Sequence, residues 1–146
     1  LMLGSGPLED TIRSEIDRLQ LSDRVILPGF INQTELPKVL HTGDFLCMCS
    51  SKDPHPLVVT ESMSVGNAVV ASDRVGCVGP TDAAQIGRNA IVYPCGEIGA
   101  LSEAIREFAK SAEMLKDYRQ QSIELSWTQD TGVMVQAVLS AMECAE

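Results

Sequence analysis

Basic residues, aromatics and histidines are all scarce in this chain. Its 146 residues carry 11 Lys and Arg against 20 Asp and Glu, a net charge of −9, and aromatics make up 4%. Such a balance excludes nucleic acid as a partner, because that binding needs clustered cations to neutralise phosphates. It leaves room for a small anion held by a few backbone N–H groups. With only two histidines, His41 and His55, and five cysteines that form no CxxC pair, no zinc spacing is present, and neither a metal nor a cofactor is expected. His41 ends a helical stretch and reads as a surface residue; His55 lies between two prolines, where ligand contact and an exposed loop are both open. The cysteines read as small buried hydrophobes in a reducing compartment, which places the chain in the cytoplasm. Cys47 and Cys49 would share one face of a strand. No apolar run nears the roughly 18 residues of a membrane span. The opening Leu1-Met2-Leu3-Gly4 has neither the basic start nor the cleavage pattern of a signal peptide. It begins inside an apolar run, so the chain is expected to be a piece of a longer protein.

What is present is the mix of a globular domain, 45% apolar and 21% charged. One domain over residues 1–146 is expected. Short apolar strands recur at Leu1–Leu3, Val25–Leu27, Phe45–Cys49, Ala68–Ala71 and Ala90–Tyr93, with starts about 20–24 residues apart. This spacing fits successive βα units and therefore a parallel sheet. The strands are almost continuously apolar, as strands buried on both faces are. Between them run amphipathic stripes, Leu8, Ile12, Ile16 and Leu19 first, then Leu101, Ile105, Phe108, Ala112 and Leu115. C-terminal helices are expected from about residue 113, the last with Val133, Met134, Ala137, Val138 and Met142 on its packing face. The fold class is α/β, a doubly wound parallel sheet of Rossmann-like βα units.

The segment "SSKDPHPLVVTESMSVGNAVVASD" places two acids, Asp53 and Glu61, eight positions apart behind the strand Phe45–Cys49. Open α/β sheets bind ligands at the carboxyl ends of their strands. Pro56 suits the first turn of a helix from about Pro56 to Val65, whose N-terminal N–H groups favour a phosphate. Glu61 falls inside this apolar helix, where a carboxylate needs a partner. Ligand hydroxyls would serve, and so would an internal Arg or backbone group. The turn "LGSGP" serves a tight bend as readily as a phosphate.

Taken in order, "LGSGP", "DRVILPGF", "DFLCMCSS", "DPHPLVVTESMSVGNAVVASDRVG" and "GRNAIVYPCGE" resemble the C-terminal, donor-binding half of retaining GT-B glycosyltransferases, the family-4 group (glycosyl transferase group 1). The similarity runs from Leu1 to about Phe108. The Glu-x7-Glu signature of that group stands here as Asp53-x7-Glu61, followed by Gly66-Asn67-Ala68-Val69-Val70.

The resemblance implies a role for each matching position. Asp53 would hold donor-sugar hydroxyls, with His55, Pro56 and Leu57 lining the sugar. Leu57 and Val58 would meet the diphosphate, Glu61 the ribose hydroxyls, and Phe30 and Ile31 the base. It further implies hexosyl transfer with retention from a UDP- or GDP-type sugar to an acceptor hydroxyl, in polysaccharide biosynthesis. The family's sheet order, 3-2-1-4-5-6, puts the first strand, a catalytic Arg and Lys, and the N-terminal acceptor domain ahead of Leu1. Val25–Leu27 should then pair with Leu1–Leu3, and Phe45–Cys49, Ala68–Ala71 and Ala90–Tyr93 should follow one another in a second group. Asp53 is one methylene shorter than the usual Glu, and His55-Pro56 replaces Phe-Gly. Ser62 and Ser64 replace alanines, and Ala90 replaces a Gly. Two other activities are compatible with the same residues: a nucleotide-sugar-binding module that depends on a partner chain, and a sugar-nucleotide epimerase.

Overall fold

The computed structural model describes residues 1–129 together with Gly132, Val133, Val135, Gln136, Ser140 and Met142. Met134, Ala137 and Val138 of the expected last helix, and Cys144, lie outside the described residues. The chain divides into two compact units, Leu1–Leu36 and Pro37–Glu146.

In the first unit, the Met2 N–H donates to Ile26 O and the Gly4 N–H to Gly29 O, each at 2.9 Å, around a parallel bridge between Leu3 and Gly29. Of the expected partners only Met2 and Ile26 share a hydrogen bond; the bridge itself falls on Gly29, two residues past Leu27, and neither segment forms a strand. Gly29 takes φ +80°, outside the range of an extended strand, so the pairing ends there. Parallel pairing is also the weaker kind per residue. Helix α1 spans Glu9–Arg18, with Glu9 and Asp10 in its first turn and Arg18 in its last, each complementing the helix dipole. Ile12 and Ile16 of the apolar stripe are half-buried, whereas Leu8 and Leu19 lie just outside the helix and are exposed. An apolar groove of about 310 Å³ runs between the Gly-rich turn and α1, lined by residues that include Met2, Leu3, Ile12 and Leu27.

The second unit is built on a parallel sheet in the order β1 (Phe45–Met48), β2 (Ala68–Ser72), β3 (Ala90–Tyr93), the expected sequence of strands. Phe45 pairs with Ala68, and Val69 with Ala90. Central β2 is buried at every position, which is why it reads as an unbroken apolar run. Its side chains alternate. Val69 and Ala71 pack with Val59 and Met63 of helix α3 (Leu57–Ser64) and with Leu125 of α5 (Ala112–Ser126). Ala68 and Val70 face Ala104 and Phe108 of α4 (Ile98–Lys110) on the other side. The ring of Phe108 sits 5.4 Å from those of both Phe45 and Tyr118. A short helix α2 (Leu36–His41) precedes β1, with Leu40 buried and His41 exposed.

The stripe expected to run unbroken from Leu101 to Leu115 is cut at Ser111, which adopts φ −132°, ψ 96°. Its hydroxyl accepts the Met114 N–H at 3.2 Å, so Ser111 is the N-cap of a new helix to which Ala112 and Leu115 belong. The break lets α5 reach both layers, with Met114 and Tyr118 near Phe108 and Leu125 near Met63. After α5, Trp127–Gln129 forms one 3-10 turn and Trp127 is exposed.

Candidate functional site

Because the sheet is parallel, the segments after β1, β2 and β3 all leave from one end, and the expected acids lie there. β1 gives way to a loop that Ser72 anchors, its hydroxyl donating to Ser50 O at 2.5 Å. Asp53 is half-buried, and its Oδ1 accepts the His55 N–H at 3.2 Å, a local turn that aims the loop toward α3. Pro56 is buried and stands at the N-cap with φ −71°, ψ 108°. It therefore lies one residue before the first turn expected for it: the ring sets φ, but an N-cap keeps an extended ψ. Among the described residues no side chain caps α3, and the first N–H groups of any helix lack partners within it. Leu57, at 64% exposure, and half-buried Val58 form that open end, and half-buried Glu61 follows one turn on. Asp53, His55, Pro56, Leu57 and Val58 thus gather at the N-terminus of α3, with Glu61 one turn inside the helix. Phe30, exposed, and half-buried Ile31 belong to the first unit, just after the turn at Gly29.

Helix α3 is held from behind. Gly66 closes it with φ +84°, a conformation that L side chains rarely adopt. Arg119 of α5 donates from Nε to the Gly66 carbonyl at 2.8 Å and from Nη1 to Asp44 Oδ1 at 2.7 Å. Ser62, which stands where the resembling family has alanine, is fully buried and accepts from Asn67 Nδ2 at 3.0 Å, while the same nitrogen donates to Leu40 O at 2.7 Å. Asn89 of "GRNA" is likewise buried, accepting the Gln85 N–H at 2.8 Å and donating to Ala83 O at 3.1 Å, so it shapes the turn into β3. The "LGSG" glycine donates its N–H to Gly29, a structural use.

The loop after β2 was not singled out as a site element, yet it touches the first acid directly. Asp53 forms a parallel bridge with Val75, donating to Arg74 O at 3.3 Å and accepting the Gly76 N–H at 2.8 Å. A Gly two residues past an Asp-Arg at a strand end was the available signal. Asp73 Oδ1 also accepts the Cys95 N–H at 2.9 Å, tying this loop to the one after β3.

The cysteines depart from expectation. Cys77 is buried, but Cys47 and Cys49 are exposed and Cys95 is intermediate. Cys47 and Cys49 do share a face, with Sγ atoms 3.5 Å apart. Although the residue as a whole is exposed, partial burial of its sulfur, and then the neighbouring Cys49, push the Cys47 thiol up to about 12. Burial and the hydrogen bond with Cys49 raise the Tyr93 phenol as well. Among the described residues no helix is long and apolar enough to cross a membrane.

Comparison with known proteins follows this geometry. A family model described as glycosyl transferases group 1 matches residues 1–125. WcaL of Salmonella typhimurium, which carries the name of a colanic acid biosynthesis glycosyltransferase, is 27% identical over 115 residues, 75% of this chain and 28% of its own length. The 2-deoxystreptamine N-acetyl-D-glucosaminyltransferase of Streptomyces fradiae is 26% identical over 118 residues, 77% of this chain and 26% of its own. The chain thus spans about a quarter of the curated relatives it matches. Among solved structures, Anabaena HepE in complex with UDP superposes with a TM-score of 0.79 at 21% identity, covering 97% of this chain and 40% of that one.

Proposed function

Since this chain belongs to the glycosyl transferases group 1 family, we propose that it forms the donor-nucleotide half of a retaining, metal-independent GT-B hexosyltransferase. In this proposal Asp53 accepts hydrogen bonds from donor-sugar hydroxyls, and the backbone from His55 to Leu57 lines the sugar. The N–H groups of Leu57 and Val58 meet the diphosphate, and Glu61 takes the ribose hydroxyls. Phe30 and Ile31 keep the base role that the resemblance implies. UDP is the first nucleotide to test, because it occupies the HepE structure. Polysaccharide biosynthesis in the cytoplasm is the proposed setting.

The observation that carries the proposal is the open N-terminus of α3 at the sheet's carboxyl end, with one carboxylate in the loop before it and another one turn inside. During transfer, the bond from the anomeric carbon to the diphosphate oxygen is replaced, on the same face, by a bond to the acceptor oxygen. The acceptor hydroxyl gives up its proton, and negative charge grows on the departing diphosphate. The positive end of the α3 dipole lies where that charge develops. The Arg, the Lys and the acceptor domain are proposed to come from the rest of the full-length protein.

A thermal-shift screen of the full-length protein against UDP, GDP, ADP and their common sugars tests this. A ligand that binds only the folded state at a hundred times its Kd stabilises by about 2.7 kcal/mol. UDP or GDP should raise the midpoint. A flat response to every nucleotide would overturn the donor role.

A further inference from the structure

The segment Arg74–Gly76 splints the backbone of the first acid. Asp53 donates its N–H to Arg74 O at 3.3 Å and its carbonyl accepts the Gly76 N–H at 2.8 Å, so both main-chain polar groups of the acid are engaged by one loop. Those two bonds extend the β1–β2 pairing past the sheet, as a parallel bridge between Asp53 and Val75. The approach is close enough that a Cβ at Gly76 would overlap the Pro54 carbonyl oxygen and lie 2.8 Å from the carbonyl carbon. Both partners there are backbone, so neither can swing away as a flexible side chain would. The opposed loop carries the Asp53 carboxylate, whose direction is set further by the His55 N–H at 3.2 Å. Residue 76 therefore has no room for any side chain unless the Pro54–His55 peptide moves.

We propose that Gly76 is a positioning residue for donor-sugar recognition. By admitting close contact with Pro54 and donating to Asp53 O, it fixes where the Asp53 carboxylate stands, a role that rests on the sugar-binding function given to Asp53 above. Asp53 is a methylene shorter than the glutamate common at its position, so a displaced backbone has less side-chain length with which to recover the contact. The nucleotide end of the donor, assigned to α3 and Glu61, does not depend on this splint. Gly76 thus discriminates between a nucleoside-diphosphate sugar and the bare nucleoside diphosphate.

The test is a double-mutant cycle in the full-length protein, with UDP-glucose and UDP as calorimetric probes. If the probe sugar is not the natural one, the UDP sugar giving the largest thermal shift replaces it. Gly76→Ala should weaken UDP-sugar binding about tenfold, the low end for a lost charge-assisted hydrogen bond, and leave UDP within about twofold. On an Asp53→Ala background the same change should add almost nothing, since its route to the sugar is gone. Equal losses for UDP and UDP-sugar, or full additivity of the two substitutions, would overturn the positioning role. If Asp53→Ala itself leaves UDP-sugar binding unchanged, the assignment of Asp53 to the sugar fails instead. Should Gly76→Ala not fold, hydrogen exchange on the unsubstituted protein decides. The Gly76 amide should slow further with UDP-sugar than with UDP, and identical rates would overturn the inference.

Discussion

Val69–Ala71 in the second unit and Val25–Leu27 in the first are near-equivalent as sequence, three apolar residues between turns. The first triplet is fully buried, whereas Ile26 of the other is 56% exposed. The contrast extends to the whole of each unit: no residue before Leu40 is buried, while the second unit holds two packed clusters on opposite faces of its sheet. The difference lies in the partners. β2 has a strand on either side and helices above and below, so each of its side chains meets apolar neighbours. Within the first unit Val25–Leu27 has a hydrogen bond from Met2 to Ile26, a bridge just past its end at Gly29, and one helix. Apolar strand signals report a capacity for burial, and the number of elements that close around a strand decides whether it is realised.

The sharpest test of that contrast pairs a substitution from each unit. Phe108→Ala should cost about 3–5 kcal/mol, since it empties a fully buried ring site. Ile12→Ala in α1 should cost about 1 kcal/mol, the typical value for a point change. Urea unfolding of the two variants measures both, and equal losses would break the comparison. Ligand binding offers the next largest effect. If Glu61 takes the ribose hydroxyls as proposed, Glu61→Ala should remove charge-assisted hydrogen bonds worth about 1.5–3 kcal/mol, a 10- to 150-fold loss of UDP affinity. Phe30→Ala should lose less. Calorimetric titration that found Glu61→Ala unchanged would assign that carboxylate to the fold.

Arginines sharpen the comparison at smaller scale. Arg119→Ala deprives the Gly66 carbonyl and Asp44 of a partner and should cost about 1 kcal/mol. Arg13→Ala, which breaks only an exposed pair with Glu9 at 2.7 Å, should cost about 0.3 kcal/mol. Thermal unfolding that ranked them in reverse would show that α5 does not secure the end of α3. The smallest effect is at the surface. The hydrogen bond and charge of Lys110 hold the Glu103 carboxyl below its usual range. A carboxyl depressed in the folded state contributes above its unfolded pKa and loses that contribution as pH falls through its folded pKa. Stability curves of the native chain and Glu103→Gln should therefore converge in acid and differ slightly near neutrality, because the pair is fully exposed.

The α/β class, the extents of β1, β2 and β3 to within a residue, and their order were legible because strands buried on both faces are apolar throughout. The segment from Asp53 to Glu61 was legible too, through two prolines and a carboxylate inside an apolar helix. Less visible was the break at Ser111: the stripes of α4 and α5 stay in phase across it, and one serine is a weak stop. Nothing local marked Cys47 and Cys49 as exposed, because exposure depends on which element covers β1. Ser62 looked like a polar substitute for alanine until Asn67, five residues on, proved to be its partner.

By itself the sequence determined which segments are apolar enough to be strands, where the acids fall along the chain, and which turn ends α3, since these follow from local periodicity and backbone preference. Only the tertiary structure decided that β2 would be wholly enclosed while Val25–Leu27 stayed half-open, and that the loop after β2 would lie against Asp53. Those outcomes depend on contacts between residues some twenty positions apart or more, such as Gly76 with Asp53 and Arg119 with Gly66. Steric exclusion at such a contact arises only once both backbones are in place.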